Sequence, residues 1–373
     1  MRFLMLNWRD PKNPLSGGAE RVTMGYLKGL LERGHECYWF ANAFPNALAE
    51  ETIQGVRIIR GGGKGGSILA ARRWYRKQPR FDLVIDQHHG LPWFAPWWCG
   101  TNCVAYVHEV LGPIWDVFYR RPTSTIGKWQ ERRIHWLYRR VTFWTASNST
   151  REGLSRHGVR QIQLIPYGVD TEVLPSLPAK TLEQPLRLIM VSRLAPNKRL
   201  DHGILAAKCL QQRGLDVRLR IVGGGDMEGA LRRLVEQEGL KEVVSFAGQL
   251  SENEKDQLLQ ESHFLLHTSL REGWGLNVIE ANARGTPAAV YPVAGLTDST
   301  HHDKTGLVAE RETPEALAKV IEWAVQNPGR YQGYRERGRA LAASFHWNQV
   351  LPSACEWLEK QARGPKGSHG TGH

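Results

Sequence analysis

The stretch "HFLLHTSLREGWGLNVIEANARGTPAAVYPV", residues 263–293, reads as strand, loop, helix and strand. "HFLLHTS" is an apolar run of strand length, and "LREGWG" interrupts it with glycines. "LNVIEANARG" has helical spacing and stops at Gly285, shortly before Pro287. "PAAVYPV" then resumes the strand pattern. Two apolar strands joined through a helix predict a parallel pair with a crossover. Glu272 precedes the turn, and Glu280 lies about one and a half turns into the helix.

The same alternation extends outward in both directions. Upstream, "RFLMLNW", "ECYWFANA", "VRIIR", "DLVIDQ", "CVAYVHE", "VTFWTAS" and "IQLIPYG" are strand candidates, with amphipathic stretches such as "GAERVTMGYLKGLLERGH" between them. Around the first stretch, "LRLIMVSRL", "VRLRIVGGG", "VVSFAGQ" and "GLVAE" continue the series. Residues 171–185, "TEVLPSLPAKTLEQP", carry three prolines and little periodicity, which suits a linker. The expected organisation is an α/β domain over 1–170, a linker over 171–185 and a second α/β domain over 186–345. A helix over 346–361 is expected to return to the first domain. The Gly- and His-rich tail over 362–373 reads as disordered. Doubly wound domains bind ligands beyond the carboxyl ends of their strands.

Hydrophobic residues make up 41% of the 373 and charged residues 23%, the balance of a globular protein. No apolar run approaches the ~18–20 residues of a membrane span. "MRFLMLNWRD" meets charge too early for a signal peptide, so a cytoplasmic location is expected. Five scattered cysteines argue against a disulfide framework. Cys99 and Cys103 with His88 and His89 match no familiar zinc spacing.

Charge is uneven. Residues 1–170 hold 24 Lys and Arg against 13 Asp and Glu, whereas the rest hold 25 against 24. The first domain is therefore expected to meet something anionic. Its basic residues concentrate between Trp115 and Trp144, in "WDVFYRRPTSTIGKWQERRIHWLYRRVTFW". Aromatic and basic residues mixed along a helix suit an anionic membrane interface, a helix packed on the core with arginines outward, or stacking on sugars. "GLPWFAPWWCG" adds a second tryptophan cluster. No nucleic-acid recognition motif accompanies the charge, so nucleic acid is not expected as a partner.

Candidate site residues follow the strand ends. Gly17 and Gly18 stand at the mouth of a helix, where amide groups and the dipole favour an anion; alone, such a pair reads as an ordinary turn. His108 ends "CVAYVHE" and can hydrogen-bond a hydroxyl or phosphate. Arg193 and Lys198 in "VSRLAPNKR" can converge on a diphosphate. Gly223 and Gly225 form only a partial dinucleotide fingerprint. Amide groups around Gly273, Gly275, Leu276 and Asn277 point out of the start of the helix that carries Glu280, ready for a phosphate.

In combination, "GGAERV", "YVHE", "IPYGVD", "VSRLAPNKR", "EGWGLNVIE" and "GTPAAVY" resemble the retaining glycosyltransferases of family 4, which have the GT-B fold. The likeness runs from residue 1 to about 360. It implies two Rossmann-like domains facing a central cleft and a nucleoside-diphosphate sugar held mainly by the second. Arg193 and Lys198 would then neutralise the diphosphate, with Gly17, Gly18 and the amides near Gly275 and Leu276 completing the phosphate site. Glu280 would hold the ribose, Glu272 the transferred hexose and His108 the same sugar from the first domain. Trp274 stands where many relatives carry Phe, against the donor sugar or the loop. The resemblance implies no metal and no cofactor, and no Asp-x-Asp triplet occurs in the chain. The first domain shows no pattern that matches a particular acceptor; where the Trp115–Trp144 segment is read as a membrane interface, the expected acceptor is a lipid-linked sugar or polysaccharide precursor. A nucleotide-sugar epimerase of the same fold and a non-catalytic nucleotide-sugar sensor are the alternative readings.

Overall fold

Residues 1–63, 65–112 and 114–364 are described in a computed structural model. The chain divides into two units. Residues up to Gly112, Pro122–Gly168 and the chain from Trp347 form the first; Val169–His346, with 114–121, form the second.

The chain opens with β1 (Arg2–Leu6), α1 (Gly18–Glu32), β2 (Glu36–Ala41), β3 (Glu50–Ile53) and β4 (Val56–Arg60). There follow α2 (Ser67–Tyr75), β5 (Leu83–His88), β6 (Asn102–Val107) and α3 (Ile114–Phe118), which groups with the second unit. Next come α4 (Thr123–Leu137), β7 (Thr142–Thr145), α5 (Asn148–Arg156) and β8 (Ile162–Leu164). The sheet order is β3-β4-β2-β1-β5-β6-β7-β8. All neighbours are parallel except β3 with β4. Strand β3, "EETI", escapes the apolar-run reading because its two glutamates leave it half wet at the sheet edge.

The second unit holds β9 (Leu186–Val191), α6 (Leu200–Gln212), β10 (Val217–Val222), α7 (Glu228–Gln237) and β11 (Val244–Gly248). After these come α8 (Glu252–Glu261), β12 (Phe264–His267), α9 (Leu276–Ala283), β13 (Ala288–Val290), α10 (Leu296–Ser299) and β14 (Gly306–Val308). Helices α11 (Pro314–Gln326) and α12 (Tyr331–Ala343) close it. Its sheet is wholly parallel, in the order β11-β10-β9-β12-β13-β14. The strand order reverses between β9 and β12, as it does between β1 and β5 in the first unit. Those reversals open the sheet edge where ligands bind. Two doubly wound units of this kind make the GT-B fold.

Helix α13 (Trp347–Arg363) groups with the first unit and packs on α1. Its first residue explains two glycines: a Cβ on Gly25 or Gly168 would stand 2.2 or 2.1 Å from the Trp347 ring. The indole therefore lies on bare backbone. Tyr26 meets it edge-on at 5.1 Å, and Trp144 stacks on Tyr106 at 4.0 Å behind. Residues 171–185 contain no regular element and are fastened to the second unit. Lys180 Nζ donates to the Ser262 carbonyl at 2.7 Å and to Thr286 Oγ1 at 2.9 Å, and Arg335 Nη2 donates to the Pro178 carbonyl at 2.7 Å. The end of the tail, 365–373, lies outside the described residues.

Candidate functional site

In the second unit the reversal between β9 and β12 brings two loops together. The loop after β9 carries Arg193 and Lys198, and the loop after β12 carries Glu272. Lys198 Nζ donates to Glu272 Oε1, and His267 Nε2 lies 3.6 Å from the same oxygen. Burial pushes the Glu272 carboxyl up, but the Lys198 ammonium beside it outweighs that and holds it below its ordinary value. Glu272 is thus a carboxylate. Burial lowers the His267 imidazole to about 4, so it is neutral. Arg193 is exposed, and its guanidinium has no partner among the described residues. An exposed guanidinium on the same loop as a lysine, at a strand's carboxyl end, is suited to an anion.

Arg199, next to Lys198, is spent on structure. Its Nε donates to the Thr268 carbonyl at 2.9 Å and its Nη2 to the Ser269 carbonyl at 3.1 Å, tying the two loops. Gly223 and Gly225 also serve packing: a Cβ on either would stand 1.9 Å from the Ser192 carbonyl or 2.6 Å from that of Leu194.

Glu280 is 4% exposed, on the inner face of α9, and its Oε2 lies 3.1 Å from Lys255 Nζ of α8. Lys255 is itself 6% exposed and also bonds Glu252. Lys255 had no signal in the sequence, because the pairing joins helices 25 residues apart. Glu272 and Glu280 therefore each answer to a different lysine.

Between them the chain turns at Gly275, in the left-handed region at φ +77°, and α9 starts with Leu276. Ser299 Oγ would lie 2.7 Å from a Cβ on Gly275. The first amide groups of α9, at Leu276 and Asn277, have no partner within the helix, and Gly273 precedes them on the loop. Asn277 Nδ2 ties the helix start to the Val191 carbonyl at 2.8 Å, at the end of β9. Trp274 is 4% exposed, its ring edge-on to Phe345 at 4.5 Å, so it fills the core beneath the loop.

The first unit places its candidates differently. The Gly17 N–H donates to Glu20 Oε2 at 2.7 Å, and Gly17 and Gly18 are otherwise exposed. An internal carboxylate thus holds the helix start that the sequence assigned to phosphate. The three-residue spacing of Gly17 and Glu20 is that of a capping box and was the signal available for it.

His108 is 8% exposed, with Nε2 2.8 Å from Gln87 Nε2 and Nδ1 2.5 Å from Tyr167 Oη. Thr23 Oγ1 donates to Gln87 Oε1 at 3.0 Å, which leaves the Gln87 amine to donate to His108. Burial, with His89 nearby, lowers His108 to about 3, so the ring is neutral. His88 is buried against Tyr138 and Phe143 instead of lining the sheet edge, while His89 Nε2 meets Arg9 Nη2 at 2.9 Å. Among the described residues no group of three or more His, Cys, Asp or Glu is arranged to hold a metal ion.

The pattern described as Glycosyltransferase Family 4 matches residues 16–173, and that described as Glycosyl transferases group 1 matches residues 178–341. The chain belongs to glycosyltransferase family 4. This family-4 chain is 26% identical over 238 residues to a GDP-mannose-dependent alpha-(1-6)-phosphatidylinositol monomannoside mannosyltransferase of Mycobacterium tuberculosis. That match spans 58% of the chain and 61% of the relative. The fold is shared with the sucrose-phosphate synthase of Thermosynechococcus elongatus, at a TM-score of 0.77 and 19% identity over 96% of this chain and 98% of that one. It is shared too with Anabaena HepE in complex with UDP-glucose, at a TM-score of 0.73 and 18% identity over 96% and 100%.

The Trp- and Arg-rich segment of this family-4 chain divides between core and surface. Trp144 is fully buried in β7, whereas Trp129 and Trp136 of α4 are 60% and 48% exposed. Ile126 and Leu137 are exposed on the same helix, and Arg133 and Arg139 lie over the Trp129 and Trp136 rings. The opposite side of α4 is anchored: Glu131 accepts from the Leu111 and Gly112 amides at 2.6 and 3.1 Å. In the other tryptophan cluster Trp93 is buried and Trp97 is exposed. Among the described residues no helix is long and apolar enough to cross a membrane.

Proposed function

We propose that this chain transfers a hexose from a nucleoside-diphosphate sugar to an acceptor hydroxyl, with retention of anomeric configuration. The acceptor is a glycan or lipid-linked sugar in the assembly of surface polysaccharide or glycolipid. The observation that carries this reading is Arg193, exposed and without a partner among the described residues, on the same loop as Lys198 of the Lys198–Glu272 pair at the strand reversal of the second unit.

Arg193 grips the diphosphate oxygens with its planar fork, and Lys198 adds a point charge. As the diphosphate arrives, Lys198 turns part of its hydrogen bonding from Glu272 to phosphate. Glu272, kept ionised, then accepts from hydroxyls of the hexose. Glu280, fixed by Lys255, holds the ribose. The bond from the anomeric carbon to phosphate breaks, the acceptor oxygen bonds on the same face, and its proton leaves on the departing phosphate. In this reading Arg193, Lys198 and the start of α9 supply the positive charge, so the reaction runs without a metal or cofactor. In the first unit, His108 gives up Gln87 or Tyr167 to bond the sugar as a neutral ring, and Gly17 and Gly18 yield their amides to phosphate. The mycobacterial relative named for GDP-mannose and a phosphatidylinositol mannoside, and HepE with UDP-glucose, support the donor and acceptor classes.

We also propose that the exposed face of α4 rests on an anionic membrane surface. Trp129 and Trp136 would enter the headgroup region while Arg132, Arg133 and Arg139 meet lipid phosphates. Arg132→Ala/Arg133→Ala is expected to reduce co-sedimentation with vesicles rich in anionic lipid, and unchanged binding would count against the contact.

A thermal-shift screen of nucleotides and nucleotide-sugars tests the main reading, since a ligand of the folded state raises its stability. One nucleotide-sugar series should raise the melting temperature, and the product of transfer should keep the donor's anomeric configuration by NMR. No stabilisation by any of them would sink the reading, and an epimerised sugar formed without acceptor would point to the epimerase.

A further inference from the structure

Strand β10, "VRLRIV", lies inside the second sheet between β9 and β11 yet alternates buried and exposed, with Arg218 and Arg220 on the exposed side. An inner strand of a parallel sheet is ordinarily covered on both faces. The connections explain the gap. Right-handed crossovers put α6 and α7 on one face and, after the strand order reverses, α8 and α9 on the other. Helices α8 and α9 pack chiefly on β9, β12 and β13, so among the described residues that face of β10 and β11 is left open where Arg218, Arg220 and Ser245 are exposed, with Leu258 and Glu261 of α8 at its side.

The uncovered face is basic. Arg218 stands in register with Arg187 of β9, and Arg220 with Ser245 of β11, so all four share one side of the sheet. Like charges directly across adjacent strands repel. Arg187 is partly answered by Glu183 and the Glu261 carbonyl, and Arg218 by Asp216. Arg220 has no partner among the described residues. Arg187, Arg218, Arg220, Lys241, Ser245 and Leu258 line a cavity of ≈ 270 Å³ there. It opens at the amino-terminal half of the strands, the edge opposite Arg193, Lys198 and Glu272.

We infer that this cavity is a second anion site, separate from the donor site, for a small soluble molecule bearing a phosphate. Arg218 and Arg220, two residues apart on one strand face, present guanidinium forks to the same space, and phosphate matches that geometry. The Ser245 hydroxyl adds a neutral donor, and Leu258 offers an apolar wall for the rest of the ligand. Glu242 and Glu261 also line the cavity and oppose a continuous polyanion or membrane surface, which favours a compact ligand.

Inorganic phosphate is the probe. In an Arg193→Gln/Lys198→Gln background, which disables the donor site, phosphate is expected to raise the melting temperature saturably at constant ionic strength. Adding Arg218→Gln/Arg220→Gln should weaken phosphate binding at least about tenfold. These changes are on the surface and remove like-charge repulsion, so the fold is expected to hold. Ser245→Glu, which places a carboxylate beside Arg220, should block phosphate in the same way. A response that equimolar chloride reproduces, or one that survives both sets of changes, would overturn the proposal.

Discussion

Lys255 holds Glu280 at 3.1 Å with both side chains buried, so the carboxylate on α9 is an ion pair before any ligand is present. Removing one partner of such a pair strands the other's charge and costs about 3–5 kcal/mol. Lys255→Ala is therefore expected to lower the melting temperature clearly, and Lys255→Ala/Glu280→Gln to recover part of the loss. Calorimetry of the two variants checks this, and equal melting temperatures for Lys255→Ala and the parent would refute the pairing.

Lys198 has two roles in the proposed reaction, and its loss should touch both. Turnover of Lys198→Ala and Glu272→Ala should each fall by about 10²-fold or more, the scale of removing one charge-stabilising group from an active site. Near-parental turnover in either variant would remove that residue from the site.

Gly295 sits at φ +83°, and a Cβ there would lie 2.1 Å from the Glu272 carbonyl. The Glu272 N–H also bonds the Ala294 carbonyl at 3.2 Å. Gly295→Ala should cost about 1–2 kcal/mol for the left-handed backbone alone and displace Glu272 as well. Its turnover should drop by more than its stability accounts for. A variant that melts lower yet turns over normally when folded would show that Glu272 is positioned by other means.

Acid sensitivity should arise where α13 meets α1. Glu359 accepts from Arg33 Nε at 2.6 Å and lies 2.9 Å from His35 Nε2, and these contacts draw its carboxyl from 4.5 down to about 2. A carboxyl lowered by folding contributes stability above its unfolded value and loses it as pH falls through its folded value. Parental stability should thus decline between pH 4.5 and about 2, and Glu359→Gln should flatten that decline. Denaturant titrations across the range check it; identical slopes would contradict the assignment.

The fold was largely legible because parallel strands buried on both faces read as continuous apolar runs. "RFLMLNW" and "HFLLHTS" are plain instances. Strand β3 was not, since an edge strand with Glu50 and Glu51 carries no such run. At the site, Glu272, Arg193 and Lys198 could be placed from their position after strands. What partners them could not: Lys255 reaches Glu280 from another helix, and Tyr167 reaches His108 across 59 residues. Trp274 illustrates the same limit, because a large ring beside a glycine turn suits a sugar or a core equally until Phe345 is seen against it.

Glu20 gives the helix start at Gly17 an occupant of its own. In the proposed reaction a phosphate arriving there would meet a rival already bonded, so docking would be an exchange of one anion for another. Such a place discriminates by contest: a weak or misplaced anion leaves the carboxylate seated, and only a ligand anchored elsewhere can displace it.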